Sequence, residues 1–85
     1  MEYRLSDHAR LEAENRSISI KTVDKVMLSP EQILSEHSHR KVYQSRIDMD
    51  GKLYLVRVIV EMSDPLTVVT VYRTSKIKKY WSSES

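Results

Sequence analysis

No cysteine occurs in the chain, so a disulfide framework, a thiolate nucleophile and a cysteine-based zinc site are excluded by inventory. Glycine occurs once and proline twice in 85 residues, which leaves few places for sharp turns. Long apolar runs are missing too. None approaches the roughly 20 residues that span a bilayer, and the opening "MEYRLSDHAR" lacks the basic-then-apolar order of a secretion signal. The expectation is a cytoplasmic protein with no membrane contact. A strong excess of either charge is also absent: the formal net charge of +2 is too small to announce nucleic-acid binding by itself.

What charge there is lies unevenly. Residues 1–39 carry seven Asp or Glu against five Lys or Arg, whereas residues 40–85 carry five against nine. With 40% hydrophobic and 31% charged residues, the composition is that of an ordinary globular chain, and the length suits one domain over 1–85 with a single core. The closing stretch 82–85, "SSES", is expected to fray.

Ser6 and Asp7 cap a first helical stretch, "HARLEAENR", which ends near Asn15 or Arg16. Its apolar residues, Leu5, Ala9, Leu11 and Ala13, form no wide stripe. Ser19 caps a second helix, "IKTVDKVML", where Ile20, Val23, Val26 and Met27 share one face, and Ser29-Pro30 stops it. The period then changes. "EQILSE" reads as a short strand or turn, while "RKVYQSRI", "LYLVRVIVEM" and "TVVTVYRT" read as strands. Asp50-Gly51 supplies the positive φ of a hairpin between the first two of these long runs, and Asp64-Pro65 turns the chain into the last. Short loops between consecutive strands mean an antiparallel meander. The fold expected is α+β, with two N-terminal helices on a three- to four-stranded antiparallel sheet and a short C-terminal helix or turn.

Strand parity places Tyr54, Val56, Val58, Val60 and Met62 toward the helices and Leu53, Leu55, Arg57, Ile59 and Glu61 on the other face. If Val69 and Val71 are core, Thr70 and Tyr72 face out with Arg57, with Gln44 or Arg46 as neighbours. An arginine between Leu55 and Ile59 must find a counter-ion, water or a ligand. Its partner is either Glu61 or Glu12, or solvent, or a phosphate gripped by its planar fork of donors.

His8 and Glu12 stand one helical turn apart, either as a proton carrier with an orienting carboxylate or as a plain surface pair. Glu36-His37-Ser38-His39 offers two histidines, fewer than the three or four converging ligands that zinc requires, so neither a metal nor another cofactor is expected. At the C-terminal end, Ile77, Tyr80 and Trp81 either pin a short helix to the sheet or stack on bases while Lys76, Lys78 and Lys79 meet phosphates. Arg73 and Lys76 form the basic rim.

Taken together, "SDHARLEAENRSI", "VDKVMLSPE", "DGKLYLVRVIVE" and "VVTVYRTSKIKKYW" resemble a family of small bacterial proteins grouped with the barnase, EndoU, colicin and RelE-like ribonuclease superfamily, over roughly residues 5–81. The resemblance matches the family's helical His and Arg to His8 and Arg16, its strand Arg to Arg57, and its strand end to Thr70, Val71 and Tyr72. It implies a RelE-like fold and metal-free RNA cleavage, with the toxin of a toxin–antitoxin pair as one form of that activity. His8 would then act as acid or base, Arg57 and Arg16 as phosphate stabilisers, and Tyr72 and Thr70 as positioning donors. The expected partners are RNA and an antitoxin protein. The alternative is a non-catalytic interaction module, a homodimer or an adaptor for an acidic protein.

Overall fold

The computed structural model describes residues 2–83. Its elements are β1 (Tyr3–Leu5), α1 (Asp7–Asn15), α2 (Ile20–Leu28), β2 (Gln32–Ser35), β3 (Arg40–Met49), β4 (Lys52–Glu61), β5 (Leu66–Thr74) and α3 (Ile77–Tyr80). They build one five-stranded sheet in the order β1-β5-β4-β3-β2, with β1 parallel to β5 and every other pair antiparallel. This corrects the expected RelE-like fold, a three- to four-stranded antiparallel sheet under two helices: among the described residues the sheet is five-stranded and mixed, with three short helices.

The fifth strand is β1, three residues with too little alternation to read as a strand. Its pairing with β5 spans more than sixty residues of chain, and that remote partner supplies the hydrogen bonds its own sequence cannot. Ser6 secures the junction. Its N–H donates to the Val68 carbonyl (3.0 Å) and its hydroxyl to the Val69 carbonyl (3.3 Å), while its oxygen accepts from Ala9 N–H to cap α1 (3.0 Å).

The α1 helix buries only Ala9 and Ala13, four residues apart, and leaves Leu11 exposed. Two small residues on the inner face bring the helix close to β5. A Schellman turn ends it: Ile18 N–H donates to Ala13 O (2.8 Å) and Ser17 N–H to Glu14 O (3.1 Å), with Ser17 at φ 55°. The α2 helix is capped by Ser19 and buries Val23, Val26 and Met27, while Ile20 turns outward. These residues and Ile18 close over Tyr43, Val56, Val58, Val60, Val68 and Val71, the core between the helices and the sheet.

Both hairpins of the meander form. Asp50 and Gly51 turn β3 into β4 at φ 56° and 81°, and the Gly51 N–H is held by the Asp48 carboxylate (3.0 Å). The Asp64–Pro65 bond, in the next turn, is cis.

One detail of β5 departs from strict alternation. Ile59 pairs with Thr70 but Val60 with Val68, so Val69 is the extra residue of a bulge. Val68, not Val69, therefore joins Val71 in the core, and Thr70 and Tyr72 still fall on the opposite face. That second face is covered as well, by α3 and the residues after it. Leu55 and Gln44 are 0% exposed there, and Val42 and Ile59 are buried beside them.

Candidate functional site

Across the α3 side of the sheet runs a row of polar residues drawn from four strands in register. Tyr72 stands opposite Arg57, Arg57 opposite Gln44, and Gln44 opposite Gln32. Each is bonded to the next. Arg57 donates through Nη1 to the Tyr72 hydroxyl and through Nε to Gln44 Oε1 (2.8 Å). Gln44 in turn donates from Nε2 to Gln32 Oε1 (2.7 Å) and to the Tyr80 carbonyl (3.2 Å). Gln32 closes the row on the C-terminal segment, donating to Ser82 O (2.7 Å) and accepting from Ser82 N–H (3.1 Å). Of the stretch expected to fray, Ser82 is thus fastened by its backbone; Glu84 and Ser85 lie outside the described residues.

Row and tail hold one another. Tyr80 lies over the Arg57 guanidinium (4.5 Å from Cζ to ring centre) and meets Tyr72 edge to face (6.5 Å, 75°). One residue on, Trp81 stacks against the Arg46 guanidinium at 4.3 Å. Arg46 is fixed from its other side by Glu31, which accepts from Nε (3.1 Å), Nη2 (3.0 Å) and the Arg46 backbone N–H (2.7 Å). The bonds from Arg46 hold the Glu31 carboxyl below its usual range.

The two arginines differ in one respect that matters chemically. Arg46 has its carboxylate, and Arg57 has none: among the described residues the ion pairs are Arg16–Glu12 and Arg46–Glu31. Two of the five guanidinium N–H groups of Arg57 go to neutral oxygens. The remaining three have no protein acceptor among the described residues, and since no fully buried side-chain nitrogen there lacks a partner, Nη2 is not fully buried. The Tyr72 hydroxyl accepts from Arg57 and keeps its own O–H to give. Thr70, two residues along β5 on the same face, adds another hydroxyl about 7 Å away. An uncompensated cation beside hydroxyls is chemically suited to an anion, and the fork geometry suits phosphate or carboxylate oxygens.

Of the residues given catalytic or binding roles from the sequence, Arg57, Tyr72 and Thr70 come together, and the expected neighbour Gln44 and ring Tyr80 join them. His8, Arg16, Arg73 and Lys76 do not. His8 is exposed on α1, on the far side of the sheet. Arg16, at the end of that helix, pairs with Glu12 (2.9 Å), which is therefore Arg16's partner. Arg73 has the opposite parity to Tyr72. It lies on the helix side, over the Tyr54 ring at 4.6 Å and against Met49 Sδ at 3.6 Å. Lys76 is exposed just before α3, with Lys78 and Lys79 on the helix itself. His37 and His39 sit in the β2–β3 turn, and among the described residues no three His, Cys, Asp or Glu gather as a metal site.

Gln44 and Tyr80, named from the sequence as a neighbour of Arg57 and as a stacking ring, belong to the site, and so does Gln32, which was not legible as a member. Gln44 was within reach of strand parity. Gln32 depends on the pairing of a four-residue strand and on an acceptor fifty residues away.

The family model described as "Domain of unknown function (DUF4258)" matches residues 5–73, and the chain belongs to that family. The match takes in Arg57, Thr70 and Tyr72 and ends before Tyr80 and Trp81. No curated protein and no solved structure matches the chain.

Proposed function

We propose that this member of the DUF4258 family binds RNA by its phosphate backbone on the α3 side of the sheet, with Arg57 as the phosphate fork and Tyr72 and Thr70 as hydroxyl donors. The observation that carries the reading is the Arg57 guanidinium, positioned by Gln44 and Tyr72, neutralised by no carboxylate among the described residues, and left with an Nη2 that no protein acceptor there uses and that is not fully buried. RNA is favoured over a small anion by the surroundings. Tyr72, Tyr80 and Trp81 offer ring surfaces beside Lys76, Lys78 and Lys79, the combination that single strands use, with phosphates on cations and bases on rings.

Metal-independent cleavage is the enzymatic form of this reading. It requires a base for the ribose 2′-hydroxyl and a cation for the charge that builds on the phosphorane. Arg57 supplies the cation. The proton-transfer group at this site is Tyr72, which as a neutral phenol would give its O–H proton to the leaving 5′-oxygen while the 2′-hydroxyl proton passes to water; His8 lies across the sheet. In the toxin form of the proposal, an antitoxin protein would have to cover this same face.

The test is binding and scission of a long single-stranded RNA in the presence of a chelator. Arg57→Gln should weaken binding by about tenfold or more, the scale of a lost hydrogen bond to a charged group. Tyr72→Phe should abolish strand scission while retaining most of the binding. RNA affinity unchanged in Arg57→Gln would sink the proposal.

A further inference from the structure

Beside Trp81 the surface of the α3 face sinks into a depression of about 470 Å³, lined by Arg46, Leu53, Ile77, Lys78, Trp81 and Ser83. Its walls are mainly apolar: Leu53 is 48% exposed into the open face, and Ile77 stands on the first turn of α3. The volume falls within the roughly 300–1,000 Å³ of small-molecule sites. We infer that this depression is a nucleobase pocket, receiving the base of the nucleotide whose phosphate sits on Arg57. The inference rests on the phosphate reading of Arg57 given above and adds to it what holds the rest of the nucleotide.

Three features select a base over another occupant. The first is rigidity. Arg46 lies on the Trp81 indole at 4.3 Å and is clamped by both oxygens of Glu31, so a flat, preorganised stack forms part of the wall. The second is charge. Glu31 balances Arg46, whereas Lys78 has no acidic partner among the described residues, so the rim is cationic and suits a ligand that carries phosphate next to an apolar ring. The third is position. Arg46 pairs with Leu55, one step along the strands from the Gln44–Arg57 pair, a shift of about 7 Å on the same face. That is within the reach of one nucleotide. Polar groups are sparse in the pocket, so it would accept bases by stacking with little discrimination among their edges.

Trp81 is the single tryptophan, so its fluorescence reports directly on occupancy. The intact protein is titrated with adenosine 5′-monophosphate, with ribose 5-phosphate and with inorganic phosphate, following Trp81 emission and, in parallel, heat of binding. Adenosine 5′-monophosphate should quench the indole and bind roughly tenfold more tightly than ribose 5-phosphate, the scale of one stacked base. Leu53→Ser, at an exposed wall position whose loss leaves folding intact, should remove that advantage. Equal affinities for the two phosphates in the wild type, or an advantage that survives Leu53→Ser, overturns the pocket and leaves the Arg57 site standing. Conversely, base-dependent binding that is unaltered by Arg57→Gln supports the pocket and removes its link to the phosphate fork. If none of the three ligands binds, both readings fall.

Discussion

Tyr3 ties the edge of the sheet to the helix layer through one hydroxyl, donated to the Asp24 carboxylate at 2.9 Å. Burial first, and then the bond to Asp24 and its negative charge, push the phenol from 10.0 up to about 12. Because the folded value is raised, the neutral phenol contributes stability that is fully present below pH 10 and is lost as pH climbs through about 12. In an ultraviolet titration the Tyr3 phenol should ionise late, coinciding with a fall in stability between pH 10 and 12. Tyr3→Phe should delete the late step; its persistence would assign it elsewhere. Arg57 obeys a different logic at the same scale. A half-buried guanidinium normally has a carboxylate nearby, and here Gln44 and Tyr72 orient it without cancelling its charge.

Among the elements, α1 shows how much a helix terminus can decide. Ser17 adopts φ 55° to close the Schellman turn that delivers Ile18 to the core. A left-handed conformation is costly for a residue with a Cβ, so Ser17→Gly should raise stability by about 0.5–1 kcal/mol, measured by urea unfolding with an unchanged slope. Both capped helices and the Asp50-Gly51 hairpin were legible in the sequence, because serine caps and the one glycine act locally. The parity of β4 was legible for the same reason, and it placed Arg57 correctly. The rest depends on contacts between distant segments. Nothing within Tyr3–Leu5 announces a parallel partner at Leu66–Val68. Val68 and Val69 are chemically the same, so only their pairing shows which is the bulge. His8 looked catalytic beside Glu12, and only the layering of helices over the sheet separates it from Arg57.

For the molecule as a whole, the decisive property is a sheet covered on both faces by unequal layers. Ala9, Ala13, Val23, Val26 and Met27 fill the thick side, and four residues of α3 with Trp81 and Ser82 cover the thin one. Leu55, 0% exposed under the thin layer, tests its weight. Leu55→Ala should cost about 2–5 kcal/mol in chemical unfolding, whereas Leu53→Ala, two residues away and exposed, should stay within about 0.5 kcal/mol. A small effect at Leu55 would mean that the C-terminal segment contributes little to folding.

The row from Tyr72 to Gln32 has a role in assembly as well. Sliding β3 by two residues along β4 keeps every side chain on its own face, so alternation alone does not forbid it. In one direction, however, that slip sets Arg57 opposite Arg46 and Gln44 opposite Ile59; in the other, it sets Arg57 opposite Val42 and Gln44 opposite Leu55. Either way the Gln44 amide loses its guanidinium neighbour, and a buried amide left unsatisfied costs about 1–3 kcal/mol. The residues that would grip a phosphate thus also serve as an error check on how the strands align, and a mis-registered sheet could not display the receptor at all.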